Sequence, residues 1–510
     1  MHIDLVHKCL ETQAERQGRK KYLFFNDEKH TYKEINASAN KLAHLLISKG
    51  VEKGDRIALM MENCPNFFVS FFGILKAGAI AIPVNTFLKQ EEVAYMINDS
   101  GAKYFITSHQ FEHVASGICP LCEGLEGVLA FTETGFTSEN INTAEGLSTS
   151  NPNLDISHDD LAVFVYSSGT TGHPKGAMLS HNNMTQNTAA CLARFKVTIN
   201  DRFLLFLPAF HSYAMMTCVI LPTYVGSSIV ILESVNDLKK KTFKKILIYK
   251  RPTFFLGVPQ VYTALLKAKM PKLFLKFIYP IRLHVSGGAP LPEETLEQFR
   301  EKFGRPIIEG YGLSEASPVV SANLLKEQKP LSVGPALKGV EVKVVDEYEK
   351  ELSNGEVGEL IVRGPNVMSG YWNMPELSEK ALRNGWLFTG DLAKIDDDGY
   401  IYIVDRKKDL IIVKGMNVYP REIEEVLHKH EGVEAAAVIG LPDKASGEIP
   451  VAYVKPKEGF DLTDKDLRIY LKNHLANFKL PKNINVEHNL PMTATGKILK
   501  RELKAKALEK

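Results

Sequence analysis

A chain of 510 residues is longer than one hydrophobic core ordinarily supports, so two or more domains are expected. With 45% hydrophobic residues, 24% charged residues and a net charge of +2, the composition is that of a globular protein and gives no electrostatic reason to expect a nucleic acid partner. The short runs Lys239-Lys240-Lys241 and Lys407-Lys408 read as solvated faces.

Asp4 and Lys8 stand where a secretory leader would need an apolar core, so no signal peptide is expected. Apolar positions at helical spacing over 32–50 predict a helix ending at Gly50. RIALMM then predicts a strand, FFVSFFGILKAG a buried helix, AIAIPV a strand, EEVAYMINDSG a helix and KYFITS a strand. The most apolar stretch, residues 67 to 84, is broken by Lys76 and falls short of the roughly 20 apolar residues a membrane span requires. This βαβα rhythm predicts a largely parallel sheet covered by helices, and it recurs at GSSIVIL, PTFFLGVP and IRLHVSGG. Cys119 and Cys122 form a CxxC pair with no second ligand pair nearby, so an inert pair in a reducing cytoplasm is expected.

From about residue 330 the texture changes. GVEVKVVD, GELIVRG and GYIYIVD are short alternating strands between glycine-containing turns, which predicts a small β-barrel-like subdomain. After Arg406, strand DLIIVKG, helix PREIEEVLHKH, strands EAAAVIG and PVAYVKP and helix DKDLRIYLKNHL predict a compact α+β unit. The expected fold is therefore α/β, with a large N-terminal domain of βαβ layers over 1–405 and a smaller C-terminal domain over 406–510. With no long linker between them, the boundary is placed at a hinge inside DRKKD. The C-terminal AKALEK matches neither a retention nor a peroxisomal address.

One loop carries chemistry. YSSGTTGHPKGAMLSH, residues 166 to 181, follows the apolar run Leu161–Val165. Glycines let backbone N–H groups converge on an anion, hydroxyls add uncharged donors, and Lys175 supplies one positive charge. Counting excludes the GxxxxGK[ST] phosphate loop, because Pro174 stands where that pattern needs glycine. The composition points to a phosphate-grasping loop of another kind.

With six further stretches the chain resembles the adenylate-forming superfamily, which includes acyl-CoA synthetases, aryl-CoA ligases, luciferases and the adenylation domains of peptide synthetases. SSGTTGHPKG, PAFHSYAM, SGGAPL, EGYGLSEAS, GWLFTGD, DRKKDLIIVKG and PMTATGKILKREL stand in that family's order over about residues 10 to 505. The resemblance implies a two-step reaction in which a carboxylate attacks the α-phosphate of ATP and a thiol then displaces AMP. The first step needs charge neutralisation and in-line positioning more than a protein nucleophile.

Carried over residue by residue, the resemblance implies that Ser167, Ser168, Gly169, Thr170, Thr171, Gly172 and Lys175 hold the β- and γ-phosphates. Glu315, with Thr170, would serve Mg²⁺, and Ser314 the α-phosphate. Tyr311 would stack on the adenine in a pocket formed by Gly287, Gly288 and Ala289, with Glu309 and Gly312 beside it. Asp391 and Arg406 would take the ribose hydroxyls. Lys497 would bridge the carboxylate and the α-phosphate, and His211 would orient the acid. The C-terminal domain is expected to be mobile, pivoting at Lys408, so that Lys414 and Gly415 can meet the pantetheine of CoA.

The stretch PAFHSYAM holds no carboxylate, which argues against an amino acid substrate. Gly312 replaces the tryptophan by which acetate-specific members close their pocket. A medium- or long-chain fatty acid is therefore expected, with aryl acids such as benzoate or cinnamate open. A fatty acyl-AMP ligase serving a carrier protein typically carries an insertion between GWLFTGD and DRKKD, and this short spacing favours CoA. A non-catalytic nucleotide sensor is the rival of another class, disfavoured by the intact Lys497 and Glu315. Peripheral membrane contact would suit a fatty substrate, although no amphipathic anchor with a basic face stands out. Oligomeric state is left open.

Overall fold

The computed structural model describes residues 3–131, 139–140, 146–168, 174–239, 241–443, 446–493 and 497–508, and the counts below are of these. Two large sheets form the N-terminal domain. In the first, seven strands run in the order 139–140, Gly127–Phe131, Ala102–Ser108, Arg56–Met60, Ile80–Pro83, Leu161–Ser168 and Pro174–Ser180. Every pair is parallel except the last. In the second, eight strands run in the order Val319–Ala322, Ile307–Gly312, Leu283–Ser286, Phe254–Gly257, Arg202–Leu205, Ser228–Ile231, Lys21–Phe25 and Glu28–Thr31. Here only the two edge pairs are antiparallel. The expected parallel layers are present at each of the expected strands.

Local chemistry starts and stops the helices between them. The helix Tyr32–Ser48 opens on a capping box in which Thr31 accepts from the Glu34 amide and Glu34 accepts from the Thr31 amide. The helix Gln90–Ser100 ends at Gly101, whose φ of 62° is the left-handed cap that glycine adopts without penalty. Helix Pro65–Lys76 is buried along nearly its whole length, and its single charge is neutralised within the core. Lys76 Nζ lies 2.7 Å from Glu11 Oε1 and donates to Asn151 Oδ1 at 3.2 Å. The core is continuous across both sheets, from Leu10 and Phe68 through Phe203 and Phe255 to Ile308 and Val320.

The small β subdomain is a five-stranded antiparallel sheet built on the long strand Trp386–Ile395, which pairs with Gly358–Arg363, Leu382–Arg383 and Ile401–Arg406. Beyond it the C-terminal domain has its own core around Ile411, Ile423, Leu427, Val438, Val454 and Leu467. DLIIVKG is the first half of a hairpin, Ile411–Val413 with Met416–Val418. Lys414 and Gly415, with φ of 51° and 78°, make its two-residue turn. No helix among the described residues is long and apolar enough to cross a membrane.

Candidate active site

The phosphate-type loop joins two antiparallel strands. Leu161–Ser168 pairs with Pro174–Ser180 in a register that sets Ser167 opposite Lys175. At Gly176 on the second strand a Cβ would lie 3.1 Å from the Tyr166 ring across the ladder, so glycine leaves that ring its room. Gly169, Thr170, Thr171 and Gly172 lie outside the described residues, as does the side chain of Ser168. The segment Ser369–Trp372 adds to the outer side of this hairpin through Met178 N–H to Gly370 O and Trp372 N–H to Gly176 O. That pairing places Tyr371 beside Lys175.

A cavity of about 1170 Å³ opens where the hairpin, the second sheet, the small β subdomain and the C-terminal domain meet. Ser167, Lys175, His211, Gly287, Gly288, Tyr311, Gly312, Ser314, Glu315, Asp391, Arg406, Lys408 and Lys497 all reach its wall. Lys175 donates to Tyr371 Oη at 2.6 Å, and Tyr371 Oη donates to Glu315 Oε1 at 2.8 Å. Tyr311 Oη donates to Asp391 Oδ2 at 2.6 Å, while Arg406 Nε stands 3.2 Å from Asp391 Oδ1. Ser314 Oγ is 3.0 Å from Ser212 Oγ.

Electrostatics sharpens the picture. Burial lowers the Lys175 ammonium, Glu315 opposes that shift, and the nearby charge of Lys408 reinforces it. Burial and then Arg406 bring Lys497 down to about 8, against the pull of Asp391. Over the whole wall eight Lys and Arg stand against five Asp and Glu, so the wall suits a polyanion. Its arrival would offset the burial, and the smaller mutual repulsion, that now disfavour the ammonium forms of Lys175 and Lys497. Burial, with Lys497 adding to it, brings His211 down to about 4, so the ring is neutral at physiological pH. Its Nδ1 accepts from the Tyr213 amide at 3.2 Å, which leaves Nε2 as the protonated nitrogen. A neutral ring with one N–H donor can orient a carboxylate without removing a proton from it.

Four expected residues stand elsewhere. Ala289 does not reach the cavity wall. Glu309 is buried beneath it, away from the wall: Arg421 faces its side chain, Oε2 has no partner, and burial raises the carboxyl to about 8. Lys414 and Gly415 occupy the exposed hairpin turn, away from the cavity. Gly312 has a reason other than an open acyl channel. A Cβ there would lie 2.2 Å from the Pro318 carbonyl oxygen, so the following backbone closes the position.

The structure also adds residues the motifs did not reveal. Tyr371 is the chief one; the aromatic pair after Gly370 is its only trace in the sequence. Tyr213 packs its ring under Gly287, where a Cβ would approach within 3.2 Å. Helix formation changes here: Ser212–Ala214 passes into π-wound Met215–Ile220 before Leu221–Val225, carrying Thr217 to the wall. Phe195, Phe210, Leu256, Val285 and Val319 contribute apolar side chains to the cavity lining. Among the described residues no group of three or more His, Cys, Asp and Glu could hold a metal ion.

The AMP-binding enzyme family model matches residues 10–372, and the AMP-binding enzyme C-terminal domain model matches 422–497. A long-chain-fatty-acid–CoA ligase of Bacillus subtilis is 35% identical over 534 residues, covering 98% of this chain and 94% of its own. A feruloyl-CoA synthase of an Amycolatopsis species is 35% identical over 477 residues, covering 93% of each. The ATP-bound crystal structure of MatB from Rhodopseudomonas palustris, 32% identical, aligns over 98% of both chains with a TM-score of 0.89. The apo form of that protein, aligned over 99% of both, gives 0.80.

Proposed function

The chain belongs to the AMP-binding enzyme family and is an ATP-dependent, AMP-forming acyl-CoA ligase; from that premise we propose that its acid is a medium- or long-chain fatty acid. The observation that carries this reading is the apolar part of the cavity lining, to which Phe195, Phe210, Leu256, Val285 and Val319 contribute alongside His211. An alkyl chain buried there gains about 0.8 kcal/mol per methylene, whereas a charged or amino-bearing acid would find no partner.

In this reading the carboxylate attacks the α-phosphate of ATP, releases pyrophosphate, and the acyl-adenylate is then opened by the thiol of CoA. Ser167, Ser168, Gly169, Thr170, Thr171, Gly172 and Lys175 hold the β- and γ-phosphates. Tyr371 keeps Lys175 and Glu315 in place. Asp391 and Arg406 hold the ribose, Tyr311 the adenine, and Ser314 the α-phosphate. His211 donates to one carboxylate oxygen, and Lys497 spans the other and the phosphate. Glu315 offers one hard carboxylate, which suits a Mg²⁺ that keeps phosphate oxygens and waters as its other ligands; the ion would neutralise phosphate charge. The better agreement with ATP-bound than with apo MatB supports a domain pose suited to the adenylation step. Lys408, in the short turn Lys407–Asp409, would be the pivot from which the domain at 406–510 swings Lys414 and Gly415 toward the thiol.

The test is a panel of acids from acetate to stearate with benzoate, cinnamate and ferulate, in the presence of ATP, Mg²⁺ and CoA, with thioesters read by mass spectrometry. A maximum in the medium- or long-chain window is expected. A maximum among the aromatic acids would overturn the fatty reading in favour of an aryl acid, as the feruloyl-CoA synthase relative suggests. Pyrophosphate release without thioester would move the acceptor to a carrier protein.

Lys497 also sets an expected pH profile. Its charged form is the useful one and is lost as pH rises through about 8 in the free enzyme. For adenylate formation, kcat/KM should fall about tenfold per pH unit above that point. The kcat limb should lie at higher pH, because bound phosphates favour the ammonium. His211, neutral above about 4, should contribute no acid limb between pH 5 and 8. Stopped-flow pyrophosphate release across pH 5 to 10 reads both.

A further inference from the structure

Residues 239 to 282 contain twelve Lys and Arg and no Asp or Glu. In a chain of net +2, a segment of +12 leaves the other 466 residues at −10. Taken alone, the lysine run at its start reads as a solvated face. The surroundings of the rest give the segment another character.

A shallow groove on this segment is walled by Lys244, Lys267, Lys269, Met270, Pro271 and Lys302. Directly after Pro271, the short helix Lys272–Phe277 holds Leu273 and Phe277 one turn apart and 74% and 70% exposed. Lys272 and Lys276 flank them, both exposed. Ile278 follows them to the surface, and the stretch after Lys244 exposes Ile248 and Tyr249. Two of the groove's cations are engaged: Lys267 lies 3.5 Å from Glu434, and Lys302 donates to the carbonyls of Leu266 and Ala268. Lys244, Lys245, Lys269, Lys272 and Lys276 make no ion pair among the described residues.

A solvated face has no use for an exposed Leu and Phe, and an apolar contact with another protein has no use for five ammonium groups without a counter-charge, of which Lys276 has only the Phe277 ring, 5.3 Å away. A bilayer surface containing anionic phospholipid satisfies both, with apolar side chains at the acyl boundary and lysines among the phosphates. Neither signal suffices alone; together they reinforce one another. We infer that this face docks on an anionic phospholipid surface. Helix Pro259–Lys267 runs about 13 Å from the neighbourhood of the cavity residue Leu256 to the groove. Docking would therefore hold the cavity lining around Leu256 near the membrane, where a fatty acid partitions. The inference itself does not depend on which acid is used, because vesicle binding is measured without substrate.

The experiment is flotation of the whole protein with phosphatidylcholine vesicles and with vesicles containing about one-third phosphatidylglycerol, at low and high salt. Flotation with the anionic vesicles alone, weakened by salt, is expected. The exposed-position variants Leu273→Ser/Phe277→Ser and Lys269→Glu/Lys272→Glu/Lys276→Glu should each reduce the floated fraction about tenfold. Both should keep the wild-type rate of adenylate formation on a water-soluble acid, which reports an intact fold. Failure of the wild type to float, or flotation that neither variant weakens, overturns the inference. Absence of flotation with dimerisation through Leu273 and Phe277 in light scattering overturns it in favour of a second copy.

Discussion

Lys497→Ala is expected to slow acyl-adenylate formation about 10²- to 10³-fold, the usual loss when one preorganised charge at the reacting centre is removed. Conversion of a supplied acyl-adenylate to thioester should stay within a few-fold of wild type, because that half-reaction starts after the proposed bridge has done its part. The lysine is aimed by its own loop. Its amide donates to Thr493 Oγ1 at 3.0 Å, and its carbonyl accepts from the Thr493 amide at 2.7 Å. The ammonium is thereby held at the cavity near Arg406 and Asp391. Pyrophosphate release and thioester formation from synthetic adenylate, measured separately, check the prediction; equal loss of both would remove Lys497 from the bridging role.

Glu11→Ala is expected to give the largest loss of stability, about 3–5 kcal/mol, because it strands a buried charge. Lys76 is fully buried, and burial brings its ammonium down to about 8 even with Glu11 beside it. Without Glu11 its remaining hydrogen-bond partner would be the neutral Asn151 oxygen, with Glu15 only a weaker, more distant counter-charge, and Lys8, which shares the Glu11 carboxylate, would lose its partner as well. Adding Lys76→Met should recover much of the loss, since an apolar side chain of similar length needs no counter-charge in that core. The sign of the pH response follows from the same shift. A lysine whose folded pKa is lowered binds fewer protons folded than unfolded, so stability rises with pH between the folded value and the unfolded value of about 10.4. In Glu11→Ala that window should begin lower. Denaturant unfolding of the single and double variants at pH 7 and 9 reads all three expectations.

Much of the N-terminal fold was legible because its signals are local. Capping at Thr31, the helical spacing after it, the buried runs of the parallel strands and the stop at Gly101 each lie within a few residues of the structure they cause. The site was legible through motifs, and these did bring Lys175, His211, Glu315, Asp391, Arg406 and Lys497 to one cavity. Where placement differs from expectation, the reason is physical. Glu309 lies beside wall residues in the chain, yet its side chain is buried behind them. Gly312 lines the cavity as expected, and spacing does not reveal that Pro318 turns back on it and leaves no room for a Cβ. Tyr371 was missed because it reaches the site only through pairing with an edge strand nearly 200 residues earlier, as its hydrogen bond to Lys175 shows.

By itself the amino-acid sequence determined the secondary elements, the parallel layering and the chemistry of the phosphate-type loop, because periodicity and residue type act over a turn of helix or a strand pair. Only the tertiary structure decided which charges face one another: Lys76 with Glu11, Tyr311 with Asp391, Lys175 with Tyr371 and Glu315. Those partners are 56 to 196 positions apart, and only chain packing brings them into the low-dielectric surroundings that lower the Lys76 and Lys175 ammonium groups and raise the Asp391 carboxyl.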